Sequence, residues 1–310
     1  MSNPVEVFQL ICPECGDSLE PPSSGARRCA RDDRCWVEEN GIWRMLSDSQ
    51  RVAIEPRVRR YTEIRRTEGW GDDDPQYYRA LPFVDRSARF PEIWRLRAQS
   101  YRHLQRRILQ PLARARGSLR VIDAGAGNGW LSYRLARAGH RVAAVDICTD
   151  RIDGLGALSR YAPDIPMLVL EASFDQLPIA PRQADVVIFN GSLHYSNNVR
   201  RTMEQALGVL VAGGRIVIVD TPYYRREIDG HSMLAQWHAD KQHPHDQSET
   251  SPMQGFLTPA AIARLCSQLG LEARTLRPPA AWRAAAAALR SRITGQRARA
   301  AFPLIEFAQS

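Results

Sequence analysis

The chain has 310 residues, is 44% hydrophobic and 25% charged, and carries a net charge of +8, which allows about two domains and a full buried core. No apolar run reaches the roughly 20 residues that cross a bilayer, and the opening MSNPVEVFQLICPECG lacks the basic-then-apolar layout of a secretory leader, so a cytoplasmic chain with no membrane association is expected. Lys241 is the one lysine among 42 basic residues; so lopsided a ratio reflects coding bias more than a nucleic-acid surface.

Residues 1–48 form the first unit. Cys12-Pro-Glu-Cys15-Gly is a knuckle in which proline and glycine shape a tight turn, so that two thiolates can share one metal. Cys29 and Cys35 follow beyond the proline-serine stretch EPPSSG. Cysteines clustered in a cytoplasmic chain read as a metal site before they read as disulfides. The second half of the cluster is irregular, and either Cys35 or Asp32 completes it. Thiolate binds zinc better than carboxylate in structural sites, so Cys12, Cys15, Cys29 and Cys35 are the expected ligands of a structural Zn2+. Cys148 and Cys266 read as small buried hydrophobes.

Residues 49–118 form a helical, aromatic connecting and lid segment, with a turn-like EGWGDDDP at 68–75 and a helix from about Pro91 to Leu112. Tyr77 and Tyr78 are candidate substrate-lining residues. Trp94, Arg97 and Tyr101 share one face of the helix, although eight arginines crowd 95–120 and a surface role for Arg97 is expected.

Residues 119–310 form the third unit. The apolar runs LRVIDAG, HRVAAVDI, MLVLEA, ADVVIFN and GRIVIVD alternate with helical patterns, which implies crossover units and a mostly parallel sheet. In VIDAGAGNGWLSYRLARAGHRVAAVDI, a strand ends at Asp123, glycines follow at 125, 127 and 129, a helix begins near Trp130, and a second strand ends at Asp146. Glycines let backbone approach a ligand where a Cβ would collide. The helix N-terminus favours an anionic group, and a carboxylate ending the second strand can accept both hydroxyls of a ribose. Tyr223 and Tyr224 leave the carboxyl end of a later strand, where open α/β sheets place ligands, and are further substrate candidates. Residues 224–255 read as a lid-like loop, whose His231, His238, His243 and His245 match no metal-site spacing. LTPAAIARLCSQLG carries a helix signature, with Thr258 as N-cap, Pro259 and a closing Gly270. LEARTL and FPLIEFA read as two late strands.

The D-A-G-A-G-N-G loop, EASFDQLPI, ADVVIFNGSLHYS and LVAGGRIVIVD, in this order and spacing, resemble the class I S-adenosylmethionine-dependent methyltransferases over about 119–223. The resemblance implies an α/β, Rossmann-like fold with a mostly parallel seven-stranded sheet. WVEENGIWRML resembles the closing hairpin of zinc ribbons fused to such enzymes. Carried over by position, Asp123, Gly125, Gly127 and Asn128 would border the methionine moiety of S-adenosyl-L-methionine. Asp146 would hold the ribose and Ile147 would pack on the adenine. Ser173 and Phe174 would edge the adenine, although many relatives have Asp where Ser173 stands. Asn190 would lie under the sulfonium. His194 and Tyr195 are the candidate base or positioning residues, and the loop lacks the N/D-P-P-[YFW] run of amino-directed DNA methyltransferases. The expected function is methyl transfer to a small molecule by a monomer or homodimer. An RNA base is the alternative acceptor, since the bacterial ribosomal-RNA guanine-N1 methyltransferases also join a zinc ribbon to this fold. Residues 12–48 contain more acids than arginines, which argues against it. The non-enzyme alternative is a scaffold protein with a vestigial cofactor fold.

Overall fold

The computed structural model describes residues 7–161, 165–240, 255–276 and 299–309, the side chains of 237–240 excepted. His243, His245 and the side chain of His238 lie outside the described residues.

The N-terminal unit is a small antiparallel arrangement. β1 (Ala26–Cys29) pairs with β2 (Arg34–Glu39), and β2 pairs with β3 (Ile42–Arg44). Asn40 and Gly41 close the second hairpin with φ of 52° and 79°, the two positive values that a tight primed turn requires. α1 (Asp48–Glu68) starts at a capping box, in which Ser47 and Gln50 exchange side-chain and backbone hydrogen bonds, and stops at Gly69. α2 (Pro75–Ala80) and α3 (Pro91–Leu104) follow. α3 runs through a widened π-turn at Gln105–Leu109 into α4 (Gln110–Arg116). The wide turn sits just upstream of Pro111, which has no N–H to continue the regular ladder.

β4 (Arg120–Ala124), α5 (Trp130–Arg137), β5 (Arg141–Asp146), β6 (Leu168–Glu171), β7 (Ala184–Asn190), α6 (Val199–Val209) and β8 (Leu210–Val219) form the expected crossover series. α7 (Glu227–Asp240), α8 (Pro259–Leu269), β9 (Leu271–Leu276) and β10 (Leu304–Gln309) complete the described chain. The sheet order is β1-β2-β3-β6-β5-β4-β7-β8-β10-β9. From β6 to β8 the strands are parallel, and β10 runs antiparallel to both its neighbours. Those seven strands form the expected Rossmann-like, mostly parallel sheet. Alternate residues feed its two faces: Ile122 and Ala124 join one apolar cluster, and Val121 joins the other with Trp94, Leu109 and Trp130.

Two expectations change. A boundary at residue 48 does not separate two cores. β3 pairs in parallel with β6, and Phe8, Leu10, Trp43 and Met45 are buried in one cluster with Val145 and Leu170. The N-terminal strands thus cover an otherwise open sheet edge. The lid-like loop at 224–255 opens instead with α7, in which Gly230 allows close packing: a Cβ there would lie 2.4 Å from the ring of Phe256.

Trp94 is 1% exposed and packs edge-on against Trp70 and Trp130. Trp94→Ala should lower stability by about 3–5 kcal/mol, read as a shift in urea midpoint with an unchanged slope.

Candidate active site

The carboxyl ends of β4, β5 and β7 open into a cavity of about 140 Å3, roofed by α1 and α3. Gly125, Gly127, Asn128, Asp146, Ile147, Phe174, Asn190 and Tyr195, all expected at the site, line it. The glycine loop is fastened to β5: Gly125 N–H and Ala126 N–H donate to Val145 O at 2.8 and 3.0 Å. Gly127 N–H and Cys148 N–H donate to the two oxygens of Asp146, each at 2.8 Å. Burial pushes the Asp146 carboxyl up, and these backbone donors pull it back.

The glycines have different tasks. A Cβ at Gly125 would lie 2.3 Å from Ser192 Cβ, so this glycine serves packing between two loops. A Cβ at Gly127 would meet only Asp153 O at 3.9 Å, so this glycine leaves the cavity wall bare where a ligand needs room.

Other expected residues lie elsewhere. Asp123 is fully buried behind the loop, where it accepts from Ser132 Oγ at 2.7 Å. Ser173 Oγ accepts from Asp175 N–H at 3.1 Å and closes a turn outside the cavity lining. His194 does not line the cavity; it stacks on Tyr195, its Nδ1 is buried without a partner, and burial pushes it down to about 4, which makes it a weak base. Tyr77 and Tyr78 are core residues rather than substrate walls, and the Tyr78 hydroxyl donates to carbonyls of Asp72 and Ile152. Tyr223 bridges Leu257 and Ala301 through its backbone, Tyr224 is buried against Phe256, and neither lines the cavity.

The roof holds the residues that sequence reasoning missed. Arg57, Val58, Tyr61 and Arg65 of α1 face inward. Their spacing is helical, but half of the positions are arginine, so no apolar stripe announces the helix. Arg65 pairs with Asp153 and lies 3.6 Å over the Trp70 ring, and Asp153 also accepts from Asn128 Nδ2 at 3.3 Å. Arg51 pairs with buried Glu171 at 2.8 Å, and Arg66 with Asp150 at 2.6 Å. Arg97, expected at the surface, lines the cavity instead, against the rings of Trp70 and Trp94.

A second cluster lies in the N-terminal unit. Single ligand atoms of Cys12, Cys15, Cys29 and Asp32 all fall within 4.8 Å of one another. Cys15 Sγ and Cys29 Sγ are 3.5 Å apart, and Cys12 Sγ is 3.1 Å from Asp32 Oδ2. Cys35 is exposed on β2, opposite Arg28, outside this group. Strand pairing decides the fourth position: the turn after β1 folds Asp32 back onto the knuckle and carries Cys35 into the ladder. Three soft donors and one carboxylate, converging in this way, suit a tetrahedral zinc ion.

Residues 122–218 match the family model described as a methyltransferase domain. A tRNA U34 carboxymethyltransferase of Alcanivorax borkumensis is 31% identical over 100 residues, 32% of this chain and 31% of that protein. A malonyl-[acyl-carrier protein] O-methyltransferase of Erwinia pyrifoliae is 26% identical over 151 residues, 49% of this chain and 55% of that protein. The chain thus spans about a third to a half of the length of these relatives. The crystal structure of magnesium protoporphyrin IX methyltransferase from Synechocystis PCC 6803 with bound SAH has a TM-score of 0.44 at 18% identity, covering 70% of this chain and 87% of that one. Residues 122–218 thus form a methyltransferase domain.

Burial pushes Asp123 up to about 7, so folding favours its protonated form. The stability it contributes is complete below about pH 4, the range of an unfolded carboxyl, and is lost as pH rises through about 7. Urea midpoints measured from about pH 4.5 to 7.5 should fall less steeply in Asp123→Asn than in the native chain.

Proposed function

We propose that the protein transfers the methyl group of S-adenosyl-L-methionine to a small-molecule acceptor, with a structural zinc ion in the N-terminal unit. The cavity at the glycine loop and Asp146 carries this reading. Its bare wall at Gly127 and its buried carboxylate fit a nucleoside that offers two ribose hydroxyls, with Ile147 and Phe174 as apolar walls for the base. Gly125, Gly127 and Asn128 would border the methionine moiety, and Asn190 would lie beneath the sulfonium. S-adenosylmethionine supplies an electrophilic methyl carbon when bound. The chain's own part is to align the acceptor with it and to exclude water. Tyr195 at the cavity mouth, edge-on to Tyr61 at 6.0 Å, is placed to orient the acceptor.

A small acceptor is favoured over RNA by the state of the N-terminal arginines. Arg28 pairs with Asp33, Arg31 with Asp17 and Arg44 with Glu39, while Arg27 lies over the Trp43 ring. Arg28, Arg31 and Arg44, paired within their own unit, offer less to a phosphate backbone than free arginines would. Label transfer from methyl-labelled S-adenosylmethionine, offered total RNA and a protein-free metabolite extract in parallel, tests this choice. Label should appear in the metabolite fraction; label in nuclease-released nucleotides would establish the RNA reading instead.

Asp146→Ala should weaken S-adenosylmethionine binding by about one to three orders of magnitude, since two hydrogen bonds to a charged acceptor are lost; a calorimetric titration reads it.

The zinc reading rests on the thiolate cluster. Its ligands would be Cys12, Cys15, Cys29 and Asp32, and a closed set of four leaves the metal structural. The knuckle also touches the adenine wall: Gln176 Nε2 donates to Pro13 O, and Gln176 Oε1 accepts from Gln50 Nε2 at 2.8 Å. Metal analysis should find one zinc per chain. Chelation should lower thermal stability and weaken S-adenosylmethionine binding by about tenfold; unchanged binding would uncouple the two sites.

A further inference from the structure

We propose that Asp220 is a catalytic residue of this cavity: it takes a hydrogen bond from an N–H or O–H of the methyl acceptor and receives that proton as the methyl group moves. The proposal rests on the methyl-transfer reading and adds to it a proton acceptor and a class of substrate, an alcohol, phenol or amine.

Asp220 directly follows β8, at the carboxyl ends of the strands, where open α/β sheets place ligands. Its φ is 53°, in the left-handed region that Asp and Asn tolerate better than most residues with a side chain. The residue is half-buried. Its Oδ1 accepts from Ser100 Oγ of α3. Its Oδ2 is buried and has no hydrogen-bond partner among the described residues. A buried carboxylate oxygen without a donor is costly, and a donor brought by a ligand removes that cost.

Other carboxylates with an unpartnered oxygen are placed differently. Glu171 is held by Arg44 and Arg51, and Glu306 by Arg215 and Arg274. Asp123 is fully buried behind the glycine loop. In the cavity lining itself, Asp146 is engaged by two backbone N–H groups, and Asp153 by Arg65 and Asn128. Among the described residues, Asp220 is the carboxylate beside the cavity with an oxygen left over.

Two lining residues lead to it. Gly191 N–H donates to Val219 O at 2.8 Å, which draws the loop after β7 against the end of β8. A Cβ on Gly191 would point at Asp220, 3.7 Å from its carbonyl oxygen and 3.9 Å from its Cβ. The missing side chain leaves the way from the cavity to Asp220 uncovered. Arg97 stands three residues before Ser100, so one face of α3 carries both towards the strand ends. Burial pushes the Asp220 carboxyl up, and Ser100 and Arg97 pull it back. Arg97 is the charged side chain that acts on it; the loop after β7 meets it with backbone, and Thr221 beside it is uncharged. A carboxylate raised towards neutrality is a better base than an ordinary one.

The step balances. A lone pair on the acceptor nitrogen or oxygen forms the bond to the methyl carbon. The C–S bond breaks with its electron pair going to sulfur, giving a neutral thioether. The electron pair of the N–H or O–H bond stays on the nitrogen or oxygen. The proton passes to Asp220 Oδ2, from which water later takes it.

The test measures label transfer from methyl-labelled S-adenosylmethionine by the purified full chain, with the metabolite extract and total RNA as acceptors. A calorimetric titration with S-adenosylhomocysteine runs alongside. Asp220→Asn keeps the shape and suits the positive φ, but it takes no proton. It should cut transfer by about 100-fold or more in whichever fraction the native chain labels, with S-adenosylhomocysteine affinity held within about threefold. Ser100→Ala removes a hydrogen bond that favours the ionised carboxylate, so the pH below which activity is lost should be higher than in the native chain. The transferred methyl group should resist mild alkali, which releases a methyl ester as methanol. Transfer by Asp220→Asn within about threefold of native, or loss of affinity in step with transfer, overturns the catalytic role of Asp220. An unmoved acid limb in Ser100→Ala overturns the proton transfer. Alkali-volatile label marks a carboxylate acceptor, which has no proton to give, and overturns the substrate class; so does bound S-adenosylmethionine with label in neither fraction. Failure of the native chain to bind S-adenosylmethionine overturns the underlying reading instead.

Discussion

The glycine-loop end of the cavity depends on one buried carboxylate. Asp146 ends β5 with one oxygen accepting from Gly127 N–H and the other from Cys148 N–H. A buried charge is costly unless it is hydrogen-bonded, and here the donors are backbone groups of the loops that must be shaped. The glycine loop and the loop after β5 are thereby tied to the same strand end. Val145 O takes two further loop N–H groups, so the segment from Gly125 to Gly127 follows the strand's geometry. Gly125 has no room for a side chain beside Ser192, which in turn fixes the loop after β7. One carboxylate thus organises three strand ends around one opening.

The roof is built on a different principle. α1 has 21 residues and none is buried. It is fastened by arginines reaching to Glu171, Asp150 and Asp153 rather than by an apolar face. Arg66 is exposed, and a pair of that kind contributes roughly 0–1 kcal/mol. The pair of Arg65 and Asp153 is much less exposed, so losing either partner would leave a poorly solvated charge. A helix with few apolar contacts has low local stability compared with the core strands. The same composition places Arg57 and Arg65 in the cavity wall.

The N-terminal unit is continuous with the methyltransferase sheet. Its backbone meets the loop after β6 at Leu10, Ile11 and Gln9, opposite Ile179, Pro178 and Ala180. Gln176 joins the thiolate knuckle, the first turn of α1 and the loop that carries Phe174. Gln176 thus links these three elements through two hydrogen bonds.

Much of this was legible in the residues. The strands from β4 to β8 read as short apolar runs, and α5 and α8 carried caps or period enough to place them. Gly125, Gly127 and Asn128 of the D-A-G-A-G-N-G loop line, with Asp146, the cavity at the strand ends, where open α/β sheets place ligands. α1 was not legible, since a helix packed on a polar cavity replaces apolar periodicity with arginine. The tyrosine pairs at 77–78 and 223–224 misled, because an aromatic residue fills a core as readily as it lines a site. The choice of Asp32 over Cys35 turned on the ladder between β1 and β2, and the inward turn of Arg97 on the crossing of α3 over the strand ends. The sequence by itself determined the strands from β4 to β8, the glycine loop and the Cys12–Cys15 knuckle, each carried by neighbours in the chain. Only the tertiary structure decided that Asp32 rather than Cys35 joins the three cysteines and that arginines form the roof, because those depend on which distant side chains reach one another.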